Sequence, residues 1–350
     1  MHSLKEVVHL SASDLVGHLN CHYLTKLDLA VAKGELDKPS VWDPVLDRLV
    51  ERGDLHEQRY LDHLEAGGLP ILRIDQTGFD THTVNQTLKA MRAGAPIIAQ
   101  GALQTGRWGG RVDVLRRIEK PSDLGAWSYE VIDTKLARET KGNTVLQICF
   151  YSDLLSDVQR LAPEFAYVVT PGSGFKPQPF RYLDYAAYYR RVRRSLERAV
   201  EGDCQDDLYP EPKPHCEICR WRAKCEAKWR TDDHLTLVAG ISKSQISELE
   251  KKDVTTVAAL AAVPLPLPWK PDRGAVQTLE RVREQARLQV QGRISGRVVY
   301  EALPPLPGFG LARLPAPSAG DIFLDFEGDP FVDEGGLEFL FGYAFRDVSR

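Results

Sequence analysis

Between Gly110 and Tyr151 the chain reads GRVDVL, then YEVIDTKLA, then QICFY, and no other stretch constrains the fold so tightly. GRVDVL alternates polar and apolar residues as a half-buried strand does, and YEVIDTK reads as a second strand. Side chains two apart on a strand share a face, so Asp133 and Lys135 point the same way. If the strand carrying Asp113 lies beside theirs, two carboxylates and one ammonium converge. The following segment, Asn143 to Asp157, reads as a helix with Gln147 and Tyr151 on one face.

Such a convergence suits hydrolysis of a phosphodiester. Carboxylate oxygens hold Mg²⁺ or Mn²⁺, which neutralises the phosphate and lowers the pKa of a bound water. A lysine can orient that water or stabilise charge in the transition state. An acid two residues before a lysine also occurs as a surface ion pair of little energetic weight. The apolar strand around Asp133, the preceding GRVD and the helix that follows favour a site over a surface pair.

Composition sets the outer limits. A chain of 350 residues has room for two domains, and 43% hydrophobic residues support a core and exclude a disordered chain. The formal charge of -4 carries no global signature of nucleic-acid binding, so any such surface must come from local basic clusters. No apolar run approaches a membrane span, and the expected location is cytoplasmic, with no membrane partner.

Along the chain, Ser11 and Asp14 have the spacing of a capping box and start a helix expected to run on through Cys21. Pro44 to Ala66 is a second helix, with Leu46, Leu49, Val50, Gly53, Tyr60, Leu61 and Leu64 as its apolar stripe. His56 lies at the edge of that stripe. A lone histidine there is more often structural than a ligand, and the helix alone leaves both readings open. LPILRI reads as a strand, a helix lies around Val84 to Arg92, and PIIAQ and EFAYVV read as strands on either side of the motif. Together these segments describe a small mixed α/β core.

Basic residues gather in two places. The helix Tyr185 to Glu201 carries Arg190 and Arg194 among other arginines, with Tyr188 and Tyr189 beside them. The segment HCEICRWRAKCEAKWR mixes Arg220, Trp221, Arg222 and Lys224 in the manner of a backbone-and-stacking surface. A solvated helix face is the ordinary alternative for each.

The chain has six cysteines. Cys216, Cys219 and Cys225 are spaced for metal ligation rather than core packing. Spacing alone favours zinc, with His215 or Cys204 as the fourth ligand. An iron–sulfur cluster is the rival and needs a further thiolate, which Cys21 could supply. Cys149 reads as a packing residue.

With these residues assembled, the first 230 or so resemble the RecB-type branch of the PD-(D/E)xK nucleases. More narrowly they are similar to its iron–sulfur members, such as the CRISPR-associated exonucleases and the AddB nuclease domain. That pattern is a helix histidine, a GxxD strand, a D/E-x-K strand, a Q-x3-Y helix and cysteines split one and three. His56, Asp113, Asp133, Lys135, Gln147 and Tyr151 match it in order, and Cys21, Cys216, Cys219 and Cys225 match the split. The resemblance implies an α/β, restriction-endonuclease-like fold, a mixed central sheet flanked by helices. It also implies a divalent-metal DNA nuclease. His56, Asp113 and Asp133 would bind Mg²⁺ or Mn²⁺, with the Thr134 carbonyl as a further ligand. Lys135 would assist the water, Gln147 and Tyr151 would position the strand, and a 4Fe-4S cluster (or Zn²⁺) would be structural.

Beyond residue 230 the character changes. Residues 231–300 read as a helical spacer, faintly helix-hairpin-helix-like but without the hairpin glycine, and 301–320 as a proline-rich linker. In 321–350, DIFLDFEGDP and LEFLFGYAF read as a strand pair carrying Asp325 and Glu327. That pair resembles the first motif of DEDD-type, RNase H-like exonucleases, and the domain is expected to be incomplete here. Chains of this order often continue into a helicase, so the resemblance suggests a nuclease–helicase protein acting on single-stranded or frayed DNA. Two other classes compete: a non-catalytic DNA-binding module serving a helicase, and a zinc-stabilised nuclease with RNA as substrate. The intact Asp133-x-Lys135 pair disfavours the first of these.

Overall fold

The computed structural model describes every residue except 5–6, 75–79, 203–207, 330–331, 333–335 and 347–350. The chain divides into two compact units: Met1–Tyr209 with Phe323–Ala344, and Pro210–Ile322 with Phe345–Arg350.

The first unit begins with a small antiparallel hairpin, β1 (His2–Leu4) and β2 (Val7–His9). Helix α1 (Ala12–Asn20) follows, capped by Ser11 and Asp14 in a reciprocal capping box. The single helix expected through Cys21 is in fact two. Cys21 has an extended backbone (φ -158°, ψ 113°), ends α1 and caps α2 (His22–Ala32), its Sγ accepting the Leu24 N–H at 3.4 Å. Helix α3 (Pro44–Ala66) starts with Asp43 as cap and Pro44 in its first turn. Its apolar stripe is used only at the C-terminal end, where Tyr60 and Leu61 are buried; Val50 is 63% exposed. Strand β3 (Ile71–Arg73) and helix α4 (Thr81–Arg92) lead into the sheet.

Strands β4 (Ile97–Thr105), β5 (Trp108–Ile118) and β6 (Ser128–Thr134) form an antiparallel meander. Helix α5 (Gly142–Gln159) crosses over to β7 (Phe165–Val169), which pairs parallel to β6. Strand β8 (Gln178–Arg181) and helix α6 (Tyr182–Glu201) complete the unit. The six strands run in the order β3-β4-β5-β6-β7-β8, a mixed sheet because β3–β4 and β6–β7 are parallel.

The two faces of the sheet bury different partners. Ile97, Ala99, Val114, Ile132 and Val169 pack with Tyr60 and Leu61 of α3. Ile98, Leu115, Tyr129 and Val131 pack with Ile148, Phe150 and Leu154 of α5, in the cluster that also takes Tyr189 and Leu196 of α6. The period-2 alternation of β5 and β6 is what sends neighbouring residues into opposite clusters.

The second unit is helical. Helices α7 (Arg222–Thr231), α8 (Lys243–Glu250), α9 (Val257–Ala262) and α10 (Val276–Ser295) follow one another, with a capping box of Ser242 and Gln245 starting α8. Leu249, Val257, Leu260, Leu279, Val282 and Ala286 form its core, so the polar α10 contributes one buried stripe. Residues 301–320 are extended and exposed apart from a short 3-10 turn at Gly310–Arg313. Strands β9 (Ile322–Asp329) and β10 (Leu337–Phe345) pair with each other. Asp325 and Glu327 lie exposed on β9, two apart.

Candidate active site

Strands β5 and β6 pair in register from Ile118↔Ser128 to Val114↔Ile132. Asp113 and Asp133 lie one step past the last of these pairs, where the ladder stops. There the Thr134 N–H donates to Oδ2 of Asp113 at 2.7 Å, and the Thr134 hydroxyl donates to the same oxygen at 2.9 Å. A carboxylate thus satisfies a strand amide at the point where the two strands part.

Asp133 is 1% exposed. Its Oδ1 accepts from Gln147 Nε2 at 3.2 Å. Its Oδ2 lies 2.5 Å from Lys135 Nζ but makes no hydrogen bond of good geometry. Burial first, and then the Asp113 carboxylate, push the Asp133 carboxyl up to about 7. Burial works against the Lys135 ammonium, yet Asp133, Asp113 and Glu57 more than offset it and raise its pKa above the ordinary lysine value. At neutral pH the lysine is charged and the buried acid stands on the edge of ionisation.

Helix α5 supplies the other side. Gln147 and Tyr151 are one turn apart; Tyr151 is buried, and its hydroxyl is held protonated by burial and by Asp113 and Asp133. Gly110 makes room for it: a Cβ there would stand 3.1 Å from Tyr151 Cε1 and 3.3 Å from its hydroxyl oxygen. The glycine of the GxxD segment is a close-approach position.

His56 comes from α3. Its Nε2 lies 3.2 Å from the carbonyl of Val169, which also accepts the Lys135 N–H at 2.9 Å. A carbonyl only accepts, so Nε2 is the donor of this bond. Among the described residues no three His, Cys, Asp or Glu side chains are grouped so that they could hold a metal ion.

A cleft of about 440 Å³ adjoins His56, lined by Arg52, Arg59, Thr170, Pro171 and Phe175 among others. Arg52 is held by Asp329 in a two-pronged ion pair at 2.7 and 2.5 Å.

Three residues of this site carry no signal in the motifs. Glu57, next to His56, is pushed up to about 7 by burial and by Asp113. Gln100 donates to Glu57 Oε1 at 2.5 Å and accepts from Arg111 Nε at 3.2 Å. An acidic residue beside the helix histidine was the only available clue, and on an amphipathic helix it reads as solvated surface.

The remaining expected residues divide. Arg190 and Arg194 are exposed on α6, whereas Arg193 is tied to Asp153 and Glu197. Arg220, Arg222 and Lys224 are exposed. Trp221 is not available for surface stacking: it is 2% exposed, and Trp229 is buried with its Nε1 donating to the Pro210 carbonyl at 2.7 Å. Both rings are buried, so the aromatic part of the expected surface is corrected, while the cations beside them are exposed.

Cys216 lies within a 3-10 turn (Pro214–Ile218), Cys219 caps its C-terminal end and Cys225 lies early in α7; all three are half-buried and belong to the second unit. Cys216 Sγ accepts the Lys213 N–H at 3.4 Å. Cys21 belongs to the first unit, and Cys204 lies outside the described residues. Cys149 is buried against α5's neighbours, in keeping with packing. Among the described residues no helix is long and apolar enough to cross a membrane.

No curated protein matches the chain at a significant level. The family model of the PD-(D/E)XK nuclease superfamily matches residues 7–226, well over half of the sequence, and covers both motif strands, α5 and the three clustered cysteines. The mixed sheet with flanking helices agrees with that fold, and the chain belongs to the PD-(D/E)XK nuclease superfamily, a class of metal-dependent nucleases that typically use Mg²⁺ or Mn²⁺.

Proposed function

We propose that this chain hydrolyses DNA phosphodiester bonds as an exonuclease on single-stranded or frayed ends, in repair or processing, beside a helicase activity. The observation that carries the nuclease reading is the buried Asp133 carboxylate, facing Asp113 across the strand ends with Lys135 against its Oδ2. Two acids and one ammonium leave a negative excess in a poorly hydrated place, and a cation relieves it. The donors are hard oxygens with one imidazole, which suits Mg²⁺ or Mn²⁺. Asp113, Asp133 and His56 would hold the ion. His56 gives its Nε2–H to a backbone carbonyl, the usual arrangement for a ligating histidine, which supports that assignment.

When bound, the ion supplies charge neutralisation of the scissile phosphate and acidification of a water. The water oxygen bonds to phosphorus as the bond from phosphorus to the leaving oxygen breaks. One water proton passes to bulk solvent, and the leaving oxygen takes up a proton from bulk solvent. Lys135 donates to the attacking water or to a non-bridging phosphate oxygen, stabilising the charge that builds there. Gln147 fixes Asp133, and Tyr151 keeps its proton to donate toward the strand. Arg190, Arg194, Arg220, Arg222 and Lys224 are the exposed cations proposed to meet backbone phosphates.

Cys216, Cys219 and Cys225 are proposed to bind an iron–sulfur cluster, with Cys21 the sequence's choice for the fourth thiolate and zinc the alternative. Asp325 and Glu327 are proposed as the first acids of a second, RNase H-like site.

The test is an assay on end-labelled single-stranded DNA with Mn²⁺ or Mg²⁺, using RNA of the same sequence as competitor. Wild type should shorten the DNA, and Asp133→Ala and Lys135→Ala should not, while remaining folded. Equal cleavage by Asp133→Ala would assign the activity elsewhere.

A further inference from the structure

Helix α3 carries Arg52, His56 and Arg59 at spacings of four and three residues, so the three share one face. That face borders the cleft of about 440 Å³, whose lining continues from the strand ends of the active site. Leu136, in the lining, follows Lys135. Thr170, also in the lining, follows Val169, whose carbonyl takes both the His56 ring N–H and the Lys135 backbone N–H. The cleft thus begins one residue beyond the lysine of the motif. Phe175 forms another wall, half-buried and stacked with His56 at a centroid distance of 6.1 Å. Guanidinium groups beside an aromatic wall suit a single nucleic-acid strand, which offers a phosphate to the one and a base to the other.

Arg52 already holds an oxyanion. Its Nη1 and Nη2 donate to the two carboxylate oxygens of Asp329 at 2.7 and 2.5 Å. This is the two-pronged geometry in which arginine also takes a phosphate. Both residues belong to the first unit. Asp329 ends β9, and it alone of that strand is half-buried while the seven residues before it are exposed. The ion pair stays partly open to water, with 38% of the Arg52 side chain and 24% of the Asp329 side chain exposed. Such a pair is worth little net, so a better-held anion can replace it.

We infer that Arg52 binds a backbone phosphate of a single DNA strand in this cleft, and that Asp329 is a built-in competitor that occupies Arg52 until the strand displaces it. The inference deepens the nuclease reading above and rests on it for the identity of the strand. The exchange puts one oxyanion in place of another on the same guanidinium, so no charge is left unpaired in the cleft. Arg52 and Arg59 are two turns apart, about 10 Å along the helix, too far for one carboxylate to span. A strand that reaches Arg59 and Phe175 as well gains contacts beyond the single fork, and these tip the exchange in its favour. Asp329 then sets a threshold: a strand long enough to fill the cleft enters, and a small anion gains nothing over the tethered carboxylate.

The experiment is an anisotropy titration of fluorescein-labelled oligo-dT with the full chain in chelator, over a series of salt concentrations. Melting temperature is recorded for every variant, and cleavage with Mn²⁺ is followed separately. Arg52→Ala should bind about tenfold more weakly. Its log–log salt slope should shrink by about 0.7, the loss of one single-strand phosphate contact. Asp329→Asn should bind about two- to fivefold more tightly, the share that a partly exposed ion pair can withhold. In the Arg52→Ala background the same change should bring no gain. Glu338→Gln removes an exposed charge from the same strand pair and should bind as wild type does, which controls for net charge. Wild-type affinity and salt slope in Arg52→Ala overturn the inference, and if wild type still cuts DNA the nuclease reading stands. A gain in Asp329→Asn that is absent, that persists without Arg52, or that Glu338→Gln matches overturns the competitor role. Binding that depends on Arg52 in a wild type that does not cut with Mn²⁺ supports the phosphate site and overturns the nuclease reading instead.

Discussion

The backbone amide and the hydroxyl of Thr134 both donate to Oδ2 of Asp113, at 2.7 and 2.9 Å. One oxygen of the acid is thereby committed to the neighbouring strand, and the carboxylate plane is set before any ion arrives. Thr134→Val keeps the shape and the amide but deletes the hydroxyl donor. The expected loss of stability is about 1 kcal/mol. The expected loss of Mn²⁺ affinity is about tenfold, as for other partners that orient a ligand. Titration of Mn²⁺ against cleavage rate checks this; an unchanged midpoint would show that the amide alone orients Asp113.

Gly110 and Tyr151 make a second such pair. An added Cβ at residue 110 would come within 3.1 Å of the tyrosine ring. Tyr151 is walled in by Phe150, with ring centroids 5.2 Å apart, so it cannot simply step aside. Gly110→Ala should therefore cost about 1–3 kcal/mol by overpacking. The larger effect should be on catalysis, because the displaced ring carries the hydroxyl next to Asp113 and Asp133. Melting temperature and cleavage rate measured on the same preparation distinguish the two; a stability loss without a rate loss would place Tyr151 in the core only.

The strand pair was legible because alternation leaves little choice: GRVDVL and YEVIDTK each have one register that buries their apolar residues. That register sends Asp113 and Asp133 to adjoining positions. The α5 pair followed from helical spacing. What the sequence concealed was conformational or collective. Nothing in the dipeptide Gln100-Gly101 announces a glutamine with φ +57°. Glu57 owes part of its raised pKa to Asp113, which is distant in sequence. Trp221 and Trp229 show a related limit: aromatic residues among charges suit a stacking surface, but on α7 and just before it both rings are buried. Cys21 ended a helix that periodicity would have continued, because its backbone is extended and its sulfur takes over the capping of α2.

Metal-free protein should lose stability as pH rises through neutrality. Asp133 is held at about 7 in the folded chain against 3.8 as its ordinary value, chiefly by burial and then by Asp113. A carboxyl raised on folding contributes fully below its unfolded pKa, near 4, and that contribution fades as pH passes 7. Glu57, also raised to about 7, acts in the same direction. Asp133→Asn cannot ionise, so at pH 8 without metal it should melt above wild type, by an amount on the order of 2 kcal/mol. At pH 4 the two should converge. Adding Mn²⁺ at pH 8 should stabilise wild type and leave Asp133→Asn nearly unmoved. A wild-type melting curve flat from pH 5 to pH 8 in chelator would show that Asp133 ionises freely.

The cysteine segment gives the last expectation. Cys216, Cys219 and Cys225 are half-buried residues held on a 3-10 turn and the start of α7, and the Cys216 sulfur already accepts a backbone amide N–H. Trp221 and Trp229, which belong to the same stretch of chain, are both buried, so loss of the ligated group is expected to lower stability there. Cys219→Ala is thus expected to lower bound metal and melting temperature together in anaerobically purified protein. Cleavage by the surviving folded fraction should be spared, because Cys219 lies outside the carboxylate site. Iron with a brown chromophore would favour the cluster, and colourless protein with zinc the alternative. A Cys219→Ala protein with full metal content and unchanged melting would remove Cys219 from the ligand set.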